Sequence, residues 1–238
     1  MQGMAKRPPA CALAIAPEHA ILRDTGLLFP SITVTVTPPL LVLASRSPRR
    51  QQLLRQIGLA FDCIPSGVEE VIEGTVTPAE HVTILAERKA RDVALRLADG
   101  IVIGADTIVV HDDEIIEKPG DAPHAVSMLQ RLSSQRHEVY TGYSLVDVRS
   151  GRVLTRHVRT EVWFRRLAED EIRSYVASGS PMDKAGAYGI QDDFGAVFVR
   201  KIVGDFYNVM GLPLCDFYCA YRHFTNQAHE GCDGTELA

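Results

Sequence analysis

Apolar residues fall along this chain in short runs whose spacing alternates between strand and helix. Leu40-Leu41-Val42-Leu43-Ala44 is an unbroken apolar run of strand length. Gln51–Ile57 then carries helical spacing, with Ser47 suited to cap that helix, Pro48 to begin it and Gly58 to close it. Leu59–Ile64 reads as a second short strand. Thr77-Pro78-Ala79-Glu80 is a capping box, and it predicts a long helix ending near Asp99-Gly100. Ile101–Ala105 is a fully apolar strand, and Ile108–Val110 and Ile115–Ile116 flank a hairpin tip at His111–Glu114. A helix over Asp121–Leu132 follows. Glu138–Val148 and Val153–Phe164 form an antiparallel pair around Arg149–Arg152, Ala168–Ser178 is helical, Ala196–Ile202 is a strand and Leu212–Tyr221 a helix. Strands of parallel and hairpin type mixed with short helices predict an α/β or α+β fold with a mixed sheet.

The two ends read differently. Residues 1–38 are rich in proline and lack a helical period; Ser31–Thr37 alternates as an edge strand would, but is equally compatible with no structure. Lys6 and Arg7 before Cys11–Ala16 resemble a signal peptide only faintly, because Pro8, Pro9 and Pro17 leave a short apolar core. The segment reads as an untargeted extension, with Met4 as an alternative start. A single catalytic domain is expected over 39–224, and 225–238 as a polar tail.

Composition narrows the function. Of 238 residues, 46% are hydrophobic and 23% charged, as in ordinary soluble proteins. A net charge of −5 argues against a general nucleic-acid binder, so any phosphate site must be a local basic pocket. Pro30, Pro38 and Pro39 interrupt the best candidate for a membrane span. The five cysteines lack CxxC spacing; Cys215 and Cys219 share a helical face and are expected to be reduced core residues, which suits a cytoplasmic protein.

The strongest chemical signal is Arg49-Arg50 in the first turn of the helix capped by Ser47. Acidic residues are favoured there; two arginines beside free N–H groups form a phosphate site, against the alternative of a solvated surface pair. Gly104-Ala105-Asp106-Thr107 ends an apolar strand on a carboxylate placed to hold a metal or activate water, against a turn-capping role. Lys118, fixed between Glu117 and Pro119, can neutralise a phosphate. Glu69 and Glu70, if gathered with Asp106, would suit Mg²⁺, and are otherwise solvated charge. Lys89 lies mid-helix, where an i,i+4 surface pairing is the simpler reading. Met182–Gln191 is a tight loop with glycines at 186 and 189, in which Gln191 carries the donor and acceptor needed to read a base edge. P-loop, HExxH, GxSxG and Rossmann patterns are all absent.

Taken together, Ser45-Arg-Ser-Pro-Arg-Arg50, Gly104-Ala-Asp-Thr107, Glu117-Lys-Pro119, Asp183-Lys-Ala-Gly-Ala-Tyr-Gly-Ile-Gln191 and Gly211-Leu-Pro-Leu214 resemble, in order and over residues 40–222, the motifs of the Maf nucleotide pyrophosphatases. The resemblance implies an elongated α/β fold akin to inosine triphosphate pyrophosphatases, a homodimer, and hydrolysis of a nucleoside triphosphate to monophosphate and pyrophosphate with a divalent cation, Mg²⁺ or Mn²⁺. It implies Asp106 as catalytic carboxylate, with Ser45, Arg50, Glu70, Lys89 and Lys118 handling phosphate and metal, the metal falling to Asp106 and Glu70. Arg49, Thr107 and Gln191 become specificity positions of the branch acting on TTP and UTP; the branch acting on 7-methyl-GTP carries tryptophan, glutamine and glutamate there. Residues 1–38 have no counterpart in that pattern, and Asp192-Asp193 stands where glycine is common. A nucleotide-binding regulator of cell division that acts through a partner without hydrolysis is the alternative reading.

Overall fold

The computed structural model describes residues 40–191 and 193–226; the expected strand at 31–37, Cys11, Cys232 and the polar tail beyond 226 lie outside the described residues. The elements are β1 (Leu41–Leu43), α1 (Pro48–Gln56), β2 (Asp62–Cys63), α2 (Pro78–Ala94), β3 (Ile101–His111), β4 (Glu114–Ile116), α3 (Ala122–Leu132), β5 (Arg136–Asp147), β6 (Val153–Phe164), α4 (Glu169–Ala177), β7 (Val199–Val203), α5 (Phe206–Met210) and α6 (Leu214–Phe224). The described strands form one mixed sheet in the order β2-β1-β3-β5-β6-β7, with β4 paired to β3. β1 runs parallel to β2 and β3, and the other pairs are antiparallel. The mixed α/β architecture agrees with the pattern of apolar runs. No helix among the described residues is long and apolar enough to cross a membrane.

The alternation of β3 separates two cores. Ile101, Ile103, Ala105 and Val109 face the larger one, built with α1, α3, α4, α5 and α6. Val102, Ile108 and Val110 face α2 on the other side of the sheet. The approach of α2 depends on two glycines. A Cβ on Gly104 would collide with the Ala86 carbonyl and lie 2.7 Å from the Ala90 nitrogen, and one on Gly142 would meet the Val82 carbonyl. The Thr77 capping box is present, with Glu80 returning a bond to the Thr77 N–H at 2.8 Å.

Several boundaries differ from the sequence reading, each for a local reason. α2 stops at Ala94, well before Gly100; its last turn tightens through Arg96 N–H to Val93 O and Leu97 N–H to Ala94 O. Gly100, at φ +116°, instead turns the chain into β3 against the Leu40 carbonyl. β3 does not end at Ala105, because β5 pairs with it from Ile101 to Val110. Residues 193–198 form 3₁₀ turns, so β7 begins only at Val199. The short α5 is not part of the pattern of apolar runs; Asp205 caps it through the Tyr207 and Asn208 N–H groups. Cys215 is exposed and Cys219 half-buried, not core, because α6 buries Leu214, Phe217, Ala220, Tyr221 and Phe224 on its other side.

Candidate active site

An interruption in the sheet creates the site. Ala44 N–H makes the last bond from the β1 side to Ile103 O, at 2.8 Å, and the chain then leaves the sheet. β4 occupies the same edge of β3 only from Val109 onward. The edge between them is a window, and a cavity of about 850 Å³ opens there. It is lined by Ser45, Arg49, Arg50, Glu70, Lys89, Asp106, Thr107, Lys118 and Gln191, so the nine residues given roles by the resemblance are brought together, whereas Glu69, named beside Glu70, is not among the lining residues. Asp106 lies in the middle of β3 and not at its carboxyl end. It is the end of β1 that supplies the crevice.

On the α2 side of the window sits a charged trio. Lys89 Nζ donates to Asp106 Oδ1 at 2.7 Å and to Glu70 Oε1 at 2.6 Å. Lys89 and Asp106 are only 7% and 6% exposed, so the surface-pairing and turn-capping alternatives do not hold. Lys118 Nζ lies 3.6 Å from Glu70 Oε2. Burial works to raise the Glu70 pKa, yet the hydrogen bond and charge of Lys89, with Lys118 and Arg50, hold it below the ordinary carboxylate value. The carboxylate is therefore charged at neutral pH.

On the opposite face, Arg50 is buried and held by three acceptors: Gly211 O at 2.9 Å, Ser45 Oγ at 3.2 Å and Thr107 Oγ1 at 3.0 Å. Burial lowers its pKa, and neighbouring Asp106 partly restores it. A guanidinium has five N–H donors, so Arg50 keeps two for a ligand. Ser47 caps α1 as expected, accepting from the Arg50 N–H at 3.4 Å. The Gly211 carbonyl reaches Arg50 because Gly211 closes α5 at φ +112°, a left-handed conformation suited to glycine. Thr107 is already engaged, bonding Thr141 Oγ1 at 3.0 Å as well as Arg50.

Arg49 points across the cavity mouth. Its Nη1 reaches Asp183 Oδ2 at 2.9 Å and its Nη2 reaches Asp183 O at 3.3 Å, while Lys184 Nζ holds the other carboxylate oxygen at 2.8 Å. Burial raises the Asp183 pKa, but Lys184 and Arg49 bring it below normal. Asp183 opens the 183–191 motif, and the sequence alone assigns it no role; a carboxylate matching an arginine pair is the signal it offers.

The loop that carries Gln191 is fastened at several points. Gly186 N–H donates to Glu117 O at 3.1 Å, which joins it to the Lys118 loop. Gly189 N–H donates to Tyr175 Oη at 3.3 Å, and Tyr188 Oη bonds His137 Nε2 at 2.8 Å. Burial lowers the His137 pKa to about 3, so this imidazole is neutral, and its Nδ1 has no partner. Both amide atoms of Gln191 are likewise shielded from solvent and without partners. Tyr188→Phe would leave the whole His137 ring unpaired and should cost about 1–3 kcal/mol in urea unfolding. Adding His137→Phe should recover part of that loss; a double variant weaker than the sum of the singles would rule out this bond as the reason.

Comparison with known proteins adds the kinship. The family model described as Maf-like protein matches residues 40–224. A dTTP/UTP pyrophosphatase of Salinibacter ruber is 50% identical over 182 residues, 76% of this chain and 89% of the relative. Proteins of the same name from Alkaliphilus metalliredigens and Escherichia coli are each 50% identical, covering 77% of this chain and 96% and 92% of the relatives. With the motifs, the cavity and these matches in agreement, the chain belongs to the Maf-like protein family.

Proposed function

We propose that this chain hydrolyses nucleoside triphosphates, dTTP and UTP foremost, to the nucleoside monophosphate and pyrophosphate. The observation that carries the reading is one cavity lined both by a lysine-bound Asp106 and by Gln191, whose amide has no partner. The names of the relatives point to the same substrates. The kinship to inosine triphosphate pyrophosphatases and the homodimer belong to this proposal as well.

The chemistry follows from the side chains. Lys89 occupies Asp106 Oδ1 and leaves Oδ2 to accept a proton from water. As the water oxygen bonds to the α-phosphorus, its proton passes to Asp106 and the α–β anhydride bond breaks. Negative charge gathers on the departing pyrophosphate, and Arg50, Lys89 and Lys118 offset it. Holding Arg50 by neutral acceptors pre-organises it, since its orientation does not wait for substrate.

Asp106 and Glu70 also suit a divalent cation. Their oxygens converge on the Lys89 ammonium at 2.7 and 2.6 Å, so a cationic centre is already matched there. Among the described residues no three His, Cys, Asp or Glu side chains are grouped for a metal. Two carboxylates completed by phosphate oxygens and water is the ligand set that Mg²⁺ accepts, and Mn²⁺ shares its preference for oxygen. Such an ion, when bound, would polarise the phosphate and acidify water.

Base selection in this reading belongs to Gln191, with Arg49 and Thr107 lining the same cavity. A buried amide without partners costs stability until a ligand supplies them. The alternating carbonyl and N–H edge of uracil or thymine can do so. Because Thr107 also holds Arg50, exchanging it would disturb phosphate handling, so Gln191 is the cleaner probe. Gln191→Ala should lower kcat/KM for UTP roughly tenfold and for purine triphosphates far less. Pyrophosphate release from a nucleotide panel with Mg²⁺ or Mn²⁺ is the measurement. A common factor for all nucleotides would remove Gln191 from base reading; release from none would leave the non-hydrolysing regulator as the better reading.

A further inference from the structure

Glu70 sits on a long connection whose fastening is unusual. The last backbone bond before it is Ile64 N–H to Leu43 O, and, among the described residues, 65–76 make no backbone–backbone hydrogen bond until α2 begins. Side chains of α2 and of the turn that follows it hold it instead. Arg88 Nη1 donates to Val71 O at 3.1 Å, Asp92 Oδ2 accepts from Gly67 N–H at 3.0 Å, and Arg96 Nη2 donates to Pro65 O at 3.2 Å. Arg96 also binds Asp92 Oδ2 at 2.9 Å, so the central carboxylate is itself steadied. Arg88 and Asp92 are spaced by four and lie on one side of α2, and Arg96 follows in the tightened turn beyond Ala94. Lys89, one position from Arg88, meets Glu70 at the site end of the same loop.

We propose that Arg88, Asp92 and Arg96 are positioning residues that clasp the 65–71 loop to α2 and so place Glu70 beside Lys89 and Asp106. The inference rests on the reading of Glu70 as a metal- and phosphate-handling residue. The clasp is reached from outside the cavity and touches no reacting atom. Its effect is to spare Glu70 an ordering cost: an unfastened loop must lose conformational freedom each time the carboxylate takes up its place. Asp92 is the keystone, because it binds the loop backbone and Arg96 at once. Its carboxyl is held below the ordinary value, first by the Gly67 N–H, and therefore stays charged at neutral pH.

Asp92→Ala tests this in the full-length protein. Supporting residues behind a metal ligand commonly alter affinity about tenfold or more, so the Mn²⁺ concentration giving half-maximal binding, followed by the metal's electron paramagnetic resonance without nucleotide, should rise about tenfold. Amide hydrogen exchange at Gly67 and Val68, the loop N–H groups that side chains hold, should quicken while that of β3 is unchanged. Asp92→Asn keeps one oxygen for Gly67 N–H and should restore most of the affinity. Arg91→Ala removes only the exposed pair with Glu87 and serves as the control that should change nothing. Wild-type Mn²⁺ binding and loop exchange in Asp92→Ala would overturn the clasp. Wild-type Mn²⁺ binding in Glu70→Ala would instead overturn the reading of Glu70, and the two failures are thereby distinguished.

Discussion

Asp106→Asn should abolish turnover while nucleotide binding remains measurable. The amide keeps the size of the carboxylate and one oxygen for Lys89, but it cannot take a proton and is a poor ligand for a hard cation. A general base contributes about 10²–10⁴-fold, so kcat should fall at least about a hundredfold. Removing a negative charge from beside Lys89 and Arg50 should leave affinity for the triphosphate unchanged or higher. Binding by calorimetry and single-turnover hydrolysis measure the two separately. Near-normal kcat would show that another group accepts the proton. Loss of binding together with turnover would make Asp106 a structural residue.

The second large effect is expected from a residue with no side chain. Gly104 lies two positions before Asp106 on the same face of β3, under Ala86 and Ala90, the turn of α2 that carries Lys89. Gly104→Ala places a methyl group where helix backbone now stands, and rigid backbone cannot yield as a side-chain tip does. Overpacking of a core commonly costs about 1–3 kcal/mol, and this contact is at or beyond the upper end. Displacing α2 also draws Lys89 from Asp106 and shifts the Glu70 loop attached to the same helix. The expected result is a fall of several degrees in melting temperature with a disproportionate loss of kcat. A variant as stable and active as the parent would show that α2 can slide at no cost. Gly142→Ala meets the Val82 carbonyl and stands directly opposite Asp106 in β5, so it should destabilise similarly and lower kcat as well.

Those two glycines mark the limit of what the sequence made legible. Features decided by neighbours in the chain were readable: the Ser47 and Thr77 caps, the Asp121 helix start, and the hairpin around Arg149–Arg152. Features decided by distant packing were not. The length of β3 depends on β5, the α2 end on where the chain must turn into β3, and the exposure of Cys215 on which side of α6 meets the core. The site followed the same division. Each motif disclosed its own residues, but the engagement of Thr107 by Arg50, the Arg49–Asp183 pair separated by 134 positions and the clasp on the Glu70 loop exist only after folding. Lys89 is the sharpest case, since a mid-helix lysine beside Glu87 and Arg88 reads locally as a surface residue.

The window in the sheet has a thermodynamic consequence. A sheet ordinarily keeps the layers on its two faces from sharing a ligand, and each can then fluctuate on its own. Here Asp106 and Lys89 belong to the α2 layer and Arg50 and Thr107 to the other, yet all four line one cavity. A nucleotide spanning the opening would be held by both layers, and its binding free energy would be lost if either opened. Occupancy would therefore act as a cross-link between two otherwise separable packing units, converting local opening on either face into a single cooperative event.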